Sequence, residues 1–148
     1  MSKRPFKSLL NKHKGRDCLI YCPGKNITQW QNAVAQLIKD KNLVVLGSNK
    51  VTKLIVPDYH IFTNNDKYEQ YGGHPHSSST LIIGSGIQDK WIQKHRPKDY
   101  VSVVYTDKDK NEPISYNVKK DIVKGYYRTS GNLAIMLFHL MGARTVYI

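Results

Sequence analysis

The sequence predicts an α/β fold: a doubly wound, mostly parallel Rossmann-like sheet with helices on both faces. Three observations lead there. Short apolar runs recur at 17–21, 43–46, 59–62, 80–83 and 100–105, and unbroken apolar runs suit strands covered on both faces, as parallel strands are. Helical periodicity separates the first two, completing strand, helix and strand in about 30 residues, the length of a βαβ unit. Each run also ends in a small polar cluster, and in open parallel sheets ligands bind outside the carboxyl ends of the strands.

The elements follow in order. Residues 1–16 read as a basic N-terminal arm with a short helical piece near Phe6 to Leu10, and 17–148 as one Rossmann-like domain, whole or part of a longer protein. The run 17–21 is broken by Cys22-Pro23-Gly24-Lys25-Asn26. From Thr28, a plausible N-cap, Trp30, Val34, Leu37 and Ile38 recur at helical spacing. Strands are expected at 43–46 and, after a short helix or loop over 50–56, at 59–62. A Gly-, His- and Ser-rich stretch (72–79) leads to the strand 80–83, which stops at Gly84-Ser85-Gly86. A short helix or turn around Trp91 precedes the strand 100–105 and a charged loop over 106–113. The pattern assigns no element between Pro113 and the helix capped at Ser130. In that helix Leu133, Met136, Leu137 and Leu140 form an apolar stripe, Gly142 closes it, and 145–148 form the last strand.

Composition bounds the function. The chain has 148 residues, 40% of them hydrophobic, enough for a core and ordinary for one domain. No run approaches the roughly 20 apolar residues of a membrane span, and no signal-type apolar core follows the basic start. The expectation is a cytoplasmic protein. Cys18 and Cys22 stand four apart, so alternation turns both to one face of a strand, where they read as small buried hydrophobes. The net charge of +12 suits an anionic partner: a phosphorylated small molecule first, nucleic acid second.

Several motifs could carry chemistry. Gly24, Lys25 and Asn26 open the first helix, where N–H groups and the dipole can receive a phosphate; the run lacks the glycines of a dinucleotide fingerprint or P-loop. Asn49 and Asn64 follow successive strands. Asparagine tolerates left-handed turns, and its amide also suits bidentate contact with a base or sugar edge. Arg128, Thr129, Ser130 and Gly131 open the last helix; a cation beside a helix N-terminus is disfavoured unless an anion lies between them. His74 and His76 sit at i, i+2 in a loop without nearby carboxylates or cysteines, so no metal site is assigned, and the pattern requires no cofactor.

The block Arg128-Thr129-Ser130-Gly131-Asn132, the apolar helix ending at Gly142 and the strand Thr145-Val146-Tyr147-Ile148 resemble one block of the bacterial lipooligosaccharide sialyltransferases. They are also similar to that block of the related domain family that includes the archaeal pterin pyrophosphokinase-like proteins. The resemblance extends thinly to Leu19–Lys25, Asn49 and Asn64. It implies that Gly24, Asn49, Asn64, Thr129, Ser130 and Gly131 surround a cytidine-type nucleotide, such as that of a nucleotide sugar. Two departures stand out. Pro23 replaces an asparagine of the sialyltransferase pattern, and the sequence stops at Ile148, before the family's segment bearing its catalytic histidine. The resemblance thus leaves catalysis incomplete and assigns no catalytic residue.

Three functions stay open: a nucleotide or nucleotide-sugar binding domain related to glycosyltransferases, a basic nucleic-acid module, and an interaction domain whose last strand leaves a sheet edge open to a second copy. The nucleic-acid reading draws on aromatics interleaved with lysine, Lys67-Tyr68 and Lys124-Gly125-Tyr126-Tyr127-Arg128.

Overall fold

The computed structural model describes residues 1–51, 54–107, 112–125, 127 and 129–148. It shows a mixed α/β fold with a nine-stranded, mostly parallel sheet and, among the described residues, four α-helices. The strands are β1 (Ser2–Pro5), β2 (Asp17–Tyr21), β3 (Val44–Ser48), β4 (Tyr59–Phe62), β5 (Thr80–Gly84), β6 (Asp99–Asp107), β7 (Ser115–Asn117), β8 (Ile122–Gly125) and β9 (Thr145–Tyr147). The helices are α1 (Ile27–Lys41), α2 (Asn65–Tyr71), α3 (Asp89–His95) and α4 (Ser130–Leu140). No helix among the described residues is long and apolar enough to cross a membrane.

The sheet order is β7-β8-β6-β5-β4-β3-β2-β9, and β1 lies beside the first half of β6. Every pairing is parallel except the β7–β8 hairpin. From β2 to β6 the chain advances one strand at a time in one direction; after β8 it recrosses the sheet through α4 and sets β9 against β2.

Alternation along the strands builds a core on each face. One face carries Cys18, Ile20, Leu46, Ile61, Ile82 and Val101, packed against Leu133, Leu137 and Phe138 of α4. The other carries Phe62, Leu81 and Ile83 against Tyr68 of α2 and Ile92 of α3, with Tyr21 and Val45 under Val34, Ala35 and Ile38 of α1. Two helix ends follow directly from sequence. Asn42 ends α1 in the left-handed conformation, while Gly142 follows α4 at φ 86°. A Cβ at Gly142 would come within 2.9 Å of the Lys14 Cα, so the site demands glycine twice over.

Several expectations are corrected. The stretch read as a basic arm is held on the domain: Ser2–Pro5 pair with β6, and Phe6 and Leu9, in a short 3-10 helix (Phe6–Leu9), are fully buried. The charged residues of this segment flank two core side chains, Phe6 and Leu9. Helix α1 starts at Ile27 with Asn26 in the cap position rather than at Thr28, and Trp30 is 58% exposed while Val34, Ala35 and Ile38 are half-buried against the sheet. Cys22 lies beyond the last residue of β2, where alternation no longer dictates facing, and is exposed, whereas Cys18 is buried. Helix α2 and the β7–β8 hairpin were not anticipated. The aromatics expected as a stacking surface are core residues, Tyr68 at 0% and Tyr127 at 7% exposure; Tyr126 and Arg128 fall outside the described residues.

Phe6→Ala tests the placement of the N-terminal segment. A buried phenylalanine truncated to alanine costs about 3–5 kcal/mol, read as a lowered urea midpoint. A loss under about 0.5 kcal/mol, the scale of surface substitutions, would mean that the segment hangs free.

Candidate functional site

The carboxyl ends of β2, β3 and β4 meet the N-terminus of α4. Thr63 follows β4, and its hydroxyl lies 2.6 Å from that of Ser130, the first residue of α4 and only 7% exposed. Ser48 ends β3 and donates to the Cys22 Sγ at 3.4 Å. Gly131 stands beside the same sulfur, since a Cβ built on it would be 3.6 Å from Sγ. Cys22, Ser48, Thr63, Ser130 and Gly131 therefore form one continuous polar seam across three strand ends. Tyr105 of β6 extends it by donating to the Thr63 carbonyl at 3.4 Å. Gly84 makes room for that ring, because a Cβ there would meet the Tyr105 Cε1 at 2.8 Å.

Local sequence explains the helix starts. Thr129 is extended, and its hydroxyl accepts from the Asn132 N–H at 3.2 Å, so Thr129 and not Ser130 caps α4. This frees Ser130 to face Thr63. Asn64 caps α2 by accepting from the Lys67 N–H at 3.1 Å. Its neighbour Asn65 accepts from the Gln88 N–H at 2.8 Å and donates to the Gly86 carbonyl at 3.1 Å, clamping the loop after β5.

The anticipated residues divide into groups. Gly24, Lys25 and Asn26 line a shallow cavity of about 380 Å³ with Cys22, Ile27 and Trp30. Cys22 joins that cavity to the seam. Gly24 has open space around its Cα, so packing alone does not require glycine. Ser130 and Gly131 belong to the seam, with Thr129 as their cap. Asn49 takes the left-handed turn at φ 55°, and its carbonyl accepts from the His60 Nε2 at 2.6 Å; its Oδ1 is buried without a partner among the described residues. Asn64 is exposed and occupied as a cap. Arg128 falls outside the described residues.

Sequence reasoning passed over Cys22, Ser48, Thr63 and Tyr105 as site residues. The first three stood in the strand-end clusters, where asparagine drew the attention. Tyr105 gave only the alternation of its strand. A larger cavity of about 670 Å³ lies elsewhere, walled by Val51, Ile55, Val56 and Pro57 with Lys50, His74 and His76, and its lining includes none of the seam hydroxyls. The strand-end seam is the better candidate because its polar groups converge. Among the described residues no three His, Cys, Asp or Glu gather to hold a metal ion.

His60, beneath Asn49 and 1% exposed, is held below the ordinary imidazole range by burial, against the opposing effect of the Asn49 carbonyl. A base whose folded pKa is depressed binds fewer protons when folded. Stability is therefore complete above the unfolded value of about 6.5 and falls as pH drops below it. His60→Gln should flatten that fall in urea titrations run between about pH 7 and pH 5. His13, lowered first by burial and then by Lys12, leaves a remainder; an unchanged slope would remove His60 from the account.

The two thiols also differ testably. Cys22 should be alkylated in the native protein and Cys18 only after denaturation, as peptide mass spectrometry would read; equal native labelling would contradict the burial. No known family model matches the chain, and no curated protein is significantly similar to it in sequence.

Proposed function

We propose that the chain is a nucleotide or nucleotide-sugar binding domain of cytidine type, related to glycosyltransferases, with its ligand at the ends of β2–β4. One observation carries the reading: the N-terminus of α4 lies over three strand ends, beside a cavity lined by Gly24, Lys25 and Asn26. A helix N-terminus offers N–H donors and a positive dipole end to a phosphate. Lys25 adds a cation at the cavity, and the exposed indole of Trp30 offers a face to a base.

The finer fold assignment belongs to the same reading. With α1, α2 and α3 on one face and α4 returning on the other, the sheet is read as doubly wound and Rossmann-like, its reversal falling at the last connection. The two free cysteines fit a reducing, cytoplasmic setting. The resemblance suggests a transferase relationship, with no catalytic residue assigned.

Gly131→Ala separates ligand recognition from folding. The extra methyl meets only ordinary contacts, and alanine is favoured over glycine in a helix by about 1 kcal/mol, so the melting temperature should hold or rise. The same methyl crowds a phosphate at the helix start. In thermal-shift titrations with CMP and a CMP-sugar, a ligand at about 100 times its Kd adds about 2.7 kcal/mol. That shift should appear in wild type, shrink in Gly131→Ala and vanish in Ser130→Ala/Asn64→Ala. Tight CMP binding by the double variant, or none by wild type, would refute the reading.

A further inference from the structure

At the opposite end of the sheet, where the strands begin, residues 11–16 and 140–144 are tied together by four backbone hydrogen bonds. The Asn11 N–H donates to the Leu140 carbonyl (3.1 Å), His13 to Met141 (2.8 Å), Gly15 to Gly142 (2.9 Å) and Arg144 to Arg16 (2.8 Å). The Arg16 guanidinium reaches the end of α1 and donates to the Asn42 carbonyl at 3.0 Å. Lys14 is pressed against Gly142 so closely that no side chain fits there.

This framework gathers six exposed cations: Lys12, Lys14 and Arg16 on the loop before β2, Lys39 and Lys41 in the last turn of α1, and Arg144 before β9. Two carboxylates stand among them. Asp17 is held by Arg144 at 2.8 and 3.0 Å, and Asp40 accepts from the Gln36 amide at 2.6 Å. Asp58, at the start of β4, accepts from the Val45 N–H at 2.8 Å. Arg16 spends its hydrogen bond on a neutral carbonyl and keeps its charge. The His13 imidazole is pushed down by burial first and then by Lys12, with Asp58 opposing and Arg16 adding a smaller push.

The geometry points to this amino-end ridge as a docking surface for the phosphodiester backbone of nucleic acid, separate from the ligand site at the carboxyl ends. Helices α1 and α4 both end here, and each C-terminus attracts cations with about half a negative charge; six cations against Asp17, Asp40 and Asp58 exceed what two helix ends call for. An anionic bilayer is the other large polyanion. Interfacial binding combines charge with buried apolar side chains, and residues 11–16, 39–42 and 142–144 expose no large apolar side chain. With Tyr68 and Tyr127 buried, neither offers a stacking surface. The contact is therefore with phosphates, it is indifferent to sequence, and it weakens steeply with salt.

The experiment uses the full chain and fluorescence anisotropy with short duplex DNAs of unrelated sequence, from about 50 to 200 mM salt. Wild type should bind all of them alike. The Lys12→Gln/Lys14→Gln/Lys39→Gln/Lys41→Gln variant should bind at least about tenfold more weakly at low salt, with a log–log salt slope smaller by about three. A variant losing as many charges elsewhere, Lys67→Gln/Lys90→Gln/Lys119→Gln/Lys120→Gln, should stay within about twofold of wild type. All eight side chains are exposed, so melting curves should match; if the first variant fails to fold, Lys14→Gln/Lys41→Gln should give about half the change in slope. The CMP shift of the first variant should equal that of wild type, which keeps the two sites distinguishable. Equal weakening in both variants, strong preference for one sequence, or binding to phosphatidylserine vesicles without DNA binding would overturn the proposal.

Discussion

Helix α4 is the constraint on which the rest of the molecule depends. A chain that builds its sheet in one direction from β2 to β6, adds the β7–β8 hairpin beyond it and then sets β9 beside β2 must recross the sheet. Helix α4 makes that crossing with Leu133, Ala134, Leu137 and Phe138 buried. Burying a large apolar side chain is worth about 1.5–3 kcal/mol, so this face is a main source of cohesion. Both ends of the helix are fixed as well, by Thr63 at its start and by the loop carrying His13 and Gly15 at its finish.

That double fixation links the two surfaces of interest. The same rigid rod brings Ser130 and Gly131 to the strand ends and carries Gly142 and Arg144 to the strand beginnings. A ligand and a polyanion would then bind at opposite ends of one buried element, each meeting groups whose positions are set by core packing. Preorganisation of this kind lowers the ordering cost of binding.

Much of the fold was legible. The strands at 17–21, 59–62 and 80–83 and the final helix came from apolar runs and periodicity, because burial on both faces leaves a strong local signal. The hairpin over 115–125 was not legible: its residues alternate weakly and its strands are short. Strand β1 was hidden for a related reason. Ser2, Lys3, Arg4 and Pro5 carry no apolar pattern, and they form a strand because β6 offers them a free edge. Within the site, Gly24, Lys25, Asn26, Ser130 and Gly131 could be named from helix-start chemistry. The exposure of Cys22 and the reach of Tyr105 to Thr63 could not, since both depend on where a strand stops and which loop lies across from it.

The pairing of β2 with β9 has a consequence for how the molecule is made. Asp17 and Arg144, which join these strands, lie 127 residues apart, and Arg4 and Asp99 across β1 and β6 lie 95 apart. Contacts so distant in sequence slow folding, because loop closure precedes any gain from pairing. During translation one edge of β2 meets β3 as soon as that strand emerges, while its other edge stays open until β9 arrives. Throughout that interval its apolar run Cys18-Leu19-Ile20-Tyr21 presents an unprotected edge, the kind of template that invites misassembly and chaperone capture.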